Sequence, residues 1–158
     1  MDAIIMPSTP SLLPKLQADF PLLTFIAGDD FLWSPQEKTV YYVATDPEYE
    51  ALLLHELSHS LLDHQDYQRD IQLVAMETEA WEKARTLSKQ YDVTITEDAL
   101  QDHLDTYRDW LHARSTCPRC EATGMQSNKQ QYRCLACHHE WRVNEARVCA
   151  LRRYSIKK

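Results

Sequence analysis

Leu12, Leu13 and Leu16 share one side of a helix, so residues 11–20 read as a short helical segment. Beyond it the apolar runs shorten. Residues 22–27 and 31–34 are brief and separated by Gly28-Asp29-Asp30, which predicts strand, turn, strand. Residues 35–38 form a polar turn, and 39–43, rich in β-branched and aromatic side chains, read as a third strand. Thr45-Asp46-Pro47-Glu48 then offers capping oxygens, a proline for the first turn and a glutamate three places after Thr45. A helix over 47–64 follows. Two more long helical segments are expected over 67–91 and, capped by Thr96, over 96–113, with 92–95 as a connection. The first of these carries one apolar stripe: Leu73, Val74, Ala80, Trp81, Ala84 and Leu87.

The chain has 158 residues, 44% apolar and 26% charged, which fits one domain or a small domain with an appended module. No apolar run approaches the ~18 residues of a membrane span. The start, MDAIIMPSTP, lacks a basic segment, so neither secretion nor a membrane partner is expected and the default location is cytoplasmic. Two glycines, Gly28 and Gly124, argue against phosphate-cradling loops. The net charge of -7 conceals a step. Residues 1–113 carry 7 Lys+Arg against 21 Asp+Glu, and residues 114–158 carry 10 against 3. That step places a domain boundary between residues 113 and 114. The basic tail suits an anionic partner such as DNA or RNA, or equally the acidic body of its own chain.

Residues 55–59 read His-Glu-Leu-Ser-His, an H-E-x-x-H on an expected helix. At 3.6 residues per turn His55 and His59 project about 40° apart, so both imidazoles can bind one zinc. Glu56 lies about 100° round from His55, where a carboxylate can take a proton from a zinc-bound water. Leu53, Leu57 and Leu61 supply an apolar back face. A third ligand is needed. His64 is rotated about 140° from His59, onto the leucine side, unless the helix ends before it. His103 and His112 lie too far along to be argued from spacing. Glu77, however, falls within the apolar stripe of the next helix, whereas Glu79 points about 200° away. A carboxylate on a core-facing stripe is costly unless paired or metal-bound, which makes Glu77 the expected ligand.

His55-Glu56-Leu57-Ser58-His59-Ser60-Leu61-Leu62-Asp63-His64, followed by Glu77-Thr78-Glu79-Ala80, resembles the ImmA/IrrE zinc peptidases over about residues 20–90. The resemblance implies His55, His59 and Glu77 as ligands of a catalytic zinc and Glu56 as general base. Ser58 stands where that family usually has glycine, and Lys83-Ala84 where it has an aromatic-alanine pair. A zincin core with a C-terminal zinc ribbon is also similar to the SprT-like DNA-associated proteases, whose third ligand is a downstream histidine.

Cys117-Pro118-Arg119-Cys120 and Cys134-Leu135-Ala136-Cys137 form C-x2-C-x13-C-x2-C. Two such knuckles present four thiolates to a tetrahedral metal, with a hairpin expected across Gly124 and Ser127-Asn128. The pattern resembles a zinc ribbon over about residues 115–148. Four thiolates leave no open position, so this second zinc is expected to be structural. A 45-residue tail needs such a staple to fold. Cys149 stands outside the set and reads as a buried apolar residue; His138 and His139 are expected at the surface. Tyr132 and Trp141, among Arg133 and Arg142, could stack on bases or pack the ribbon core.

The expectation is an α+β fold: a small, mostly antiparallel sheet against a zincin-like helix pair, then a zinc ribbon. The expected function is a zinc-dependent metallopeptidase acting on a protein substrate, with two zinc ions per chain. The rival is a nucleic-acid- or protein-binding regulator that keeps the scaffold without turnover. An intact Glu56 favours the enzyme.

Overall fold

The computed structural model describes residues 11–144 and 153–155. Cys149 lies outside the described residues. Among those described the fold is α+β, with four helices, one three-stranded sheet and one four-stranded sheet. No described helix is long and apolar enough to cross a membrane. The chain divides into two compact units: the described residues up to Asp63 with Ala84–Thr94, and His64–Lys83 with those from Ile95 onward. Residues 113 and 114 therefore both fall in the second unit.

The first unit begins with α1 (Leu12–Asp19), which buries Leu12 and Leu16. Its sheet contains β1 (Thr24–Ala27), β2 (Leu32–Ser34) and β3 (Thr39–Tyr42) in the order β1-β3-β2. The strand, turn and strand expected over residues 22–34 are present as β1 and β2. β1 and β2 do not pair; β3 lies between them, parallel to β1 and antiparallel to β2, so this sheet is mixed. The reason lies in burial. β3 carries the buried Thr39 and Val40 and takes the centre, while β1, largely exposed, and β2, partly exposed, suit the edges.

The helix α2 (Tyr49–Leu61) packs against β3 and β2. It starts later than expected: Thr45 does not cap it, and Asp46 Oδ1 instead accepts the Glu48 N–H at 2.8 Å. It also ends earlier, because Asp63 adopts a left-handed φ of 53° just beyond the cap. Leu53, Leu54 and Leu57 are fully buried, but Leu61, expected on that face, is 39% exposed. Tyr91 closes the unit by donating to Asp19 Oδ2 at 2.6 Å. Burial and that carboxylate push its hydroxyl up to about 12.

The helix α3 (Asp70–Gln90) supplies its first 14 residues to the second unit. α4 (Glu97–Ser115) follows, capped as expected by Thr96, whose hydroxyl accepts the Ala99 N–H at 3.1 Å. The antiparallel sheet β4 (Gly124–Asn128), β5 (Gln131–Cys134), β6 (Glu140–Val143) and β7 (Arg153–Ser155) completes the unit. The expected hairpin forms between β4 and β5 and turns at 129–130, just past Ser127-Asn128. Gly124 sits inside β4 because a Cβ there would lie 2.3 Å from the Trp141 ring. Cys117, Tyr132, Cys134, Trp141 and Val143 form the ribbon core. Tyr132 and Trp141 are thus packing residues, stacked on each other at 5.7 Å, and neither ring is exposed for stacking on bases.

Candidate metal centres

The H-E-x-x-H lies where α2 is most buried. His55 is 4% exposed and His59 8%, while Glu56 between them is partly exposed. Ser58 is buried and returns its hydroxyl to the Leu54 carbonyl at 2.7 Å, satisfying a polar group that points inward. The two imidazoles meet edge to face, with ring centroids 4.6 Å apart, and their Nε2 atoms lie 3.2 Å from each other. Two nitrogens on one tetrahedral zinc, each about 2.0–2.1 Å from it, stand roughly 3.3 Å apart. The pair therefore fits a shared metal without rearrangement.

On α3 the stripe reasoning separates the two glutamates as expected. Glu77 is buried at 4% exposure, with Leu73, Ala80, Trp81, Ala84 and Leu87 on the same buried side. Glu79 is 60% exposed and its carboxylate meets His64 Nε2 at 3.1 Å. One ligand atom each from His55, His59 and Glu77 lies within 4.8 Å of the others. Two imidazoles and a carboxylate are the donor set of a catalytic zinc site that keeps a position open.

The four cysteines form the other group. Their sulfurs also lie within 4.8 Å of one another, with Cys117 and Cys137 at 3.8 Å and Cys120 and Cys134 at 3.4 Å. Those separations exclude disulfides, whose sulfurs are about 2.05 Å apart, and match the roughly 3.8 Å of thiolates around one zinc. Both knuckles turn backbone N–H groups on to sulfur. Arg119 donates to Cys117 at 3.4 Å, while Ala136 and Cys137 donate to Cys134 at 3.3 and 3.4 Å. The Cys137 and Ala136 amides pull the Cys134 thiol down to about 6. Cys120 is pushed up to about 12: its sulfur neighbours and burial together outweigh the lowering effect of the Ala122 amide. Four sulfurs this close fit the donor set of one tetrahedral cation.

The remaining histidines belong to neither group. His64, beyond the end of α2, is held by Glu79. His103 stacks on Trp81 at 4.7 Å, and His112 is exposed on α4. His138 is exposed, as expected, whereas His139 is half-buried against Trp141, with ring centroids 6.5 Å apart. The sequence reading missed a buried cluster in the second unit. Asp70, 1% exposed, accepts from Arg114 Nε at 2.7 Å and from the Tyr132 hydroxyl at 2.5 Å. Its own N–H donates to the Gln126 side-chain oxygen at 2.7 Å. Asp70 opening a helix was the one available signal; nothing local marked its partners, 44 to 62 residues away. Comparison with family models, with curated proteins and with solved structures found no match.

Proposed function

We propose that this chain is a zinc-dependent metallopeptidase that hydrolyses peptide bonds of a protein substrate. The observation that carries the reading is the gathering of three buried donors, His55, His59 and Glu77, on the helix pair that also presents Glu56. The residues that resemble the ImmA/IrrE peptidases are the same ones. A zinc held there supplies Lewis acidity and lowers the pKa of a water towards neutrality. His55 and His59 bind through ring nitrogens held 3.2 Å apart. Glu77 completes the set from α3. Glu56, partly exposed beside buried His55, accepts the proton of the attacking water and passes it to the leaving amine nitrogen.

Zinc in the four-cysteine site is structural, because four thiolates fill its coordination. Reduced, metal-bound thiols suit the cytoplasm. The ribbon's exposed Arg119, Arg133 and Arg142 suit docking on nucleic acid or on an acidic substrate. Part of the basic charge is already met within the second unit, by Arg114 on Asp70 and Lys129 on Asp66.

Glu56→Gln tests the reading. The variant retains both zinc ions by native mass spectrometry, yet peptide hydrolysis falls about 10²–10⁴-fold, since only proton transfer is removed. Full activity in that variant overturns the peptidase assignment.

A further inference from the structure

The first turn of α3 is held by residues of the ribbon. The Gln126 side-chain oxygen accepts the Asp70 N–H at 2.7 Å, acting as an N-terminal cap delivered from β4. Arg69 donates to the Gln126 carbonyl at 3.0 Å. The Tyr132 hydroxyl, on β5, donates to Asp70 Oδ2 at 2.5 Å, and Arg114 approaches the same carboxylate at 2.7 Å. Arg114 is fixed in turn: its Nη1 donates to the Asn144 carbonyl, its carbonyl accepts Trp141 Nε1 at 2.9 Å, and its guanidinium lies 4.6 Å over the Trp110 ring. Tyr132 stands two residues before Cys134, and Arg114 three before Cys117. A metal-closed ribbon therefore fixes β5, which carries Tyr132, and the end of α4, which carries Arg114, against Asp70.

Glu77 is seven residues beyond Asp70. That is two turns, about 10 Å along the axis and within about 20° of the same face. A shift or rotation of the first turn is carried by the helix to Glu77. Metal sites need their ligands held to within about 0.5 Å, and loss of supporting contacts commonly weakens binding 10–100-fold.

We infer that Gln126 and Tyr132 are positioning residues for Glu77, so that the four-cysteine ribbon sets the metal affinity of the His55/His59/Glu77 site through the head of α3. The inference rests on reading Glu77 as a ligand. It gives the ribbon a task besides docking and makes the open site answer to the state of the thiolates.

The test is a cobalt(II) titration of the full chain and its Tyr132→Phe and Gln126→Ala variants. The thiolate charge-transfer band reports the ribbon, and competition with a chromophoric chelator reports the second ion. Each variant should bind the second ion about tenfold more weakly with the ribbon band unchanged, and the double variant more weakly still. Lys129→Ala, which removes the exposed pair with Asp66 and the approach to the Tyr67 ring at 6.0 Å but no contact to Asp70, should leave both readouts at parent values. A purely structural role would lower the unfolding temperature and leave the affinity unchanged; that result overturns the inference. The isosteric Tyr132→Phe keeps the test open where Gln126→Ala fails to fold. A parent chain that takes up only the thiolate-bound ion overturns the underlying reading of His55, His59 and Glu77, and the coupling with it.

Discussion

Glu77 and Glu79 are two residues apart on one helix, yet one is 4% exposed and the other 60%. That contrast separates the candidate metal ligand from a surface charge. Glu77→Gln should weaken the second metal about 10–100-fold and leave the ribbon ion in place, as read by native mass spectrometry. Glu79→Gln should change stability within ~0.5 kcal/mol in a denaturant titration and leave the metal content at two. Gly124 offers a test of packing. Its Cβ would meet the Trp141 ring at 2.3 Å and the Arg133 carbonyl at 2.9 Å, so Gly124→Ala should cost about 1–3 kcal/mol in thermal unfolding. His55, Glu56, His59, Glu77 and the four cysteines stood out in the sequence because spacing and helical phase are local. Gly124 did not: it read as part of a hairpin, and the Trp141 ring on β6, two strands away, with the Arg133 carbonyl on β5, shows why no side chain fits.

Helices were easier to read than the sheet. The extent of α3 follows from its apolar stripe, and the start of α4 from the Thr96 cap. α2 was expected to run to residue 64 but stops at Leu61, where the left-handed Asp63 turns the chain. Pairing of β1 with β3 depends on which strand buries most surface, a contest no single run of sequence displays. The same holds for Asp70, whose partners come from α4, β4 and β5. Asp70→Ala leaves Arg114 buried without its carboxylate, and should therefore cost about 3–5 kcal/mol in chemical denaturation. A loss below 1 kcal/mol would mean that the cluster does not anchor α3.

At the scale of the whole molecule, two groups of candidate metal donors stand out among the described residues. One is saturated by four thiolates, and the other offers two imidazoles, a carboxylate and an adjoining glutamate. The charge step between residues 113 and 114 marked the start of the cysteine module, but α4 and the ribbon share one compact unit. A buried Arg114 joins them. The most direct test of the central claim is anomalous diffraction at the zinc edge from crystals of the full chain grown with zinc. Two peaks are predicted. One should lie about 2.0–2.2 Å from a ring nitrogen of His55 and of His59 and from a Glu77 oxygen; the other should lie about 2.3 Å from the sulfurs of Cys117, Cys120, Cys134 and Cys137. A single peak in the ribbon, or a second ion bound by Glu79 or His103 in place of Glu77, would contradict the account.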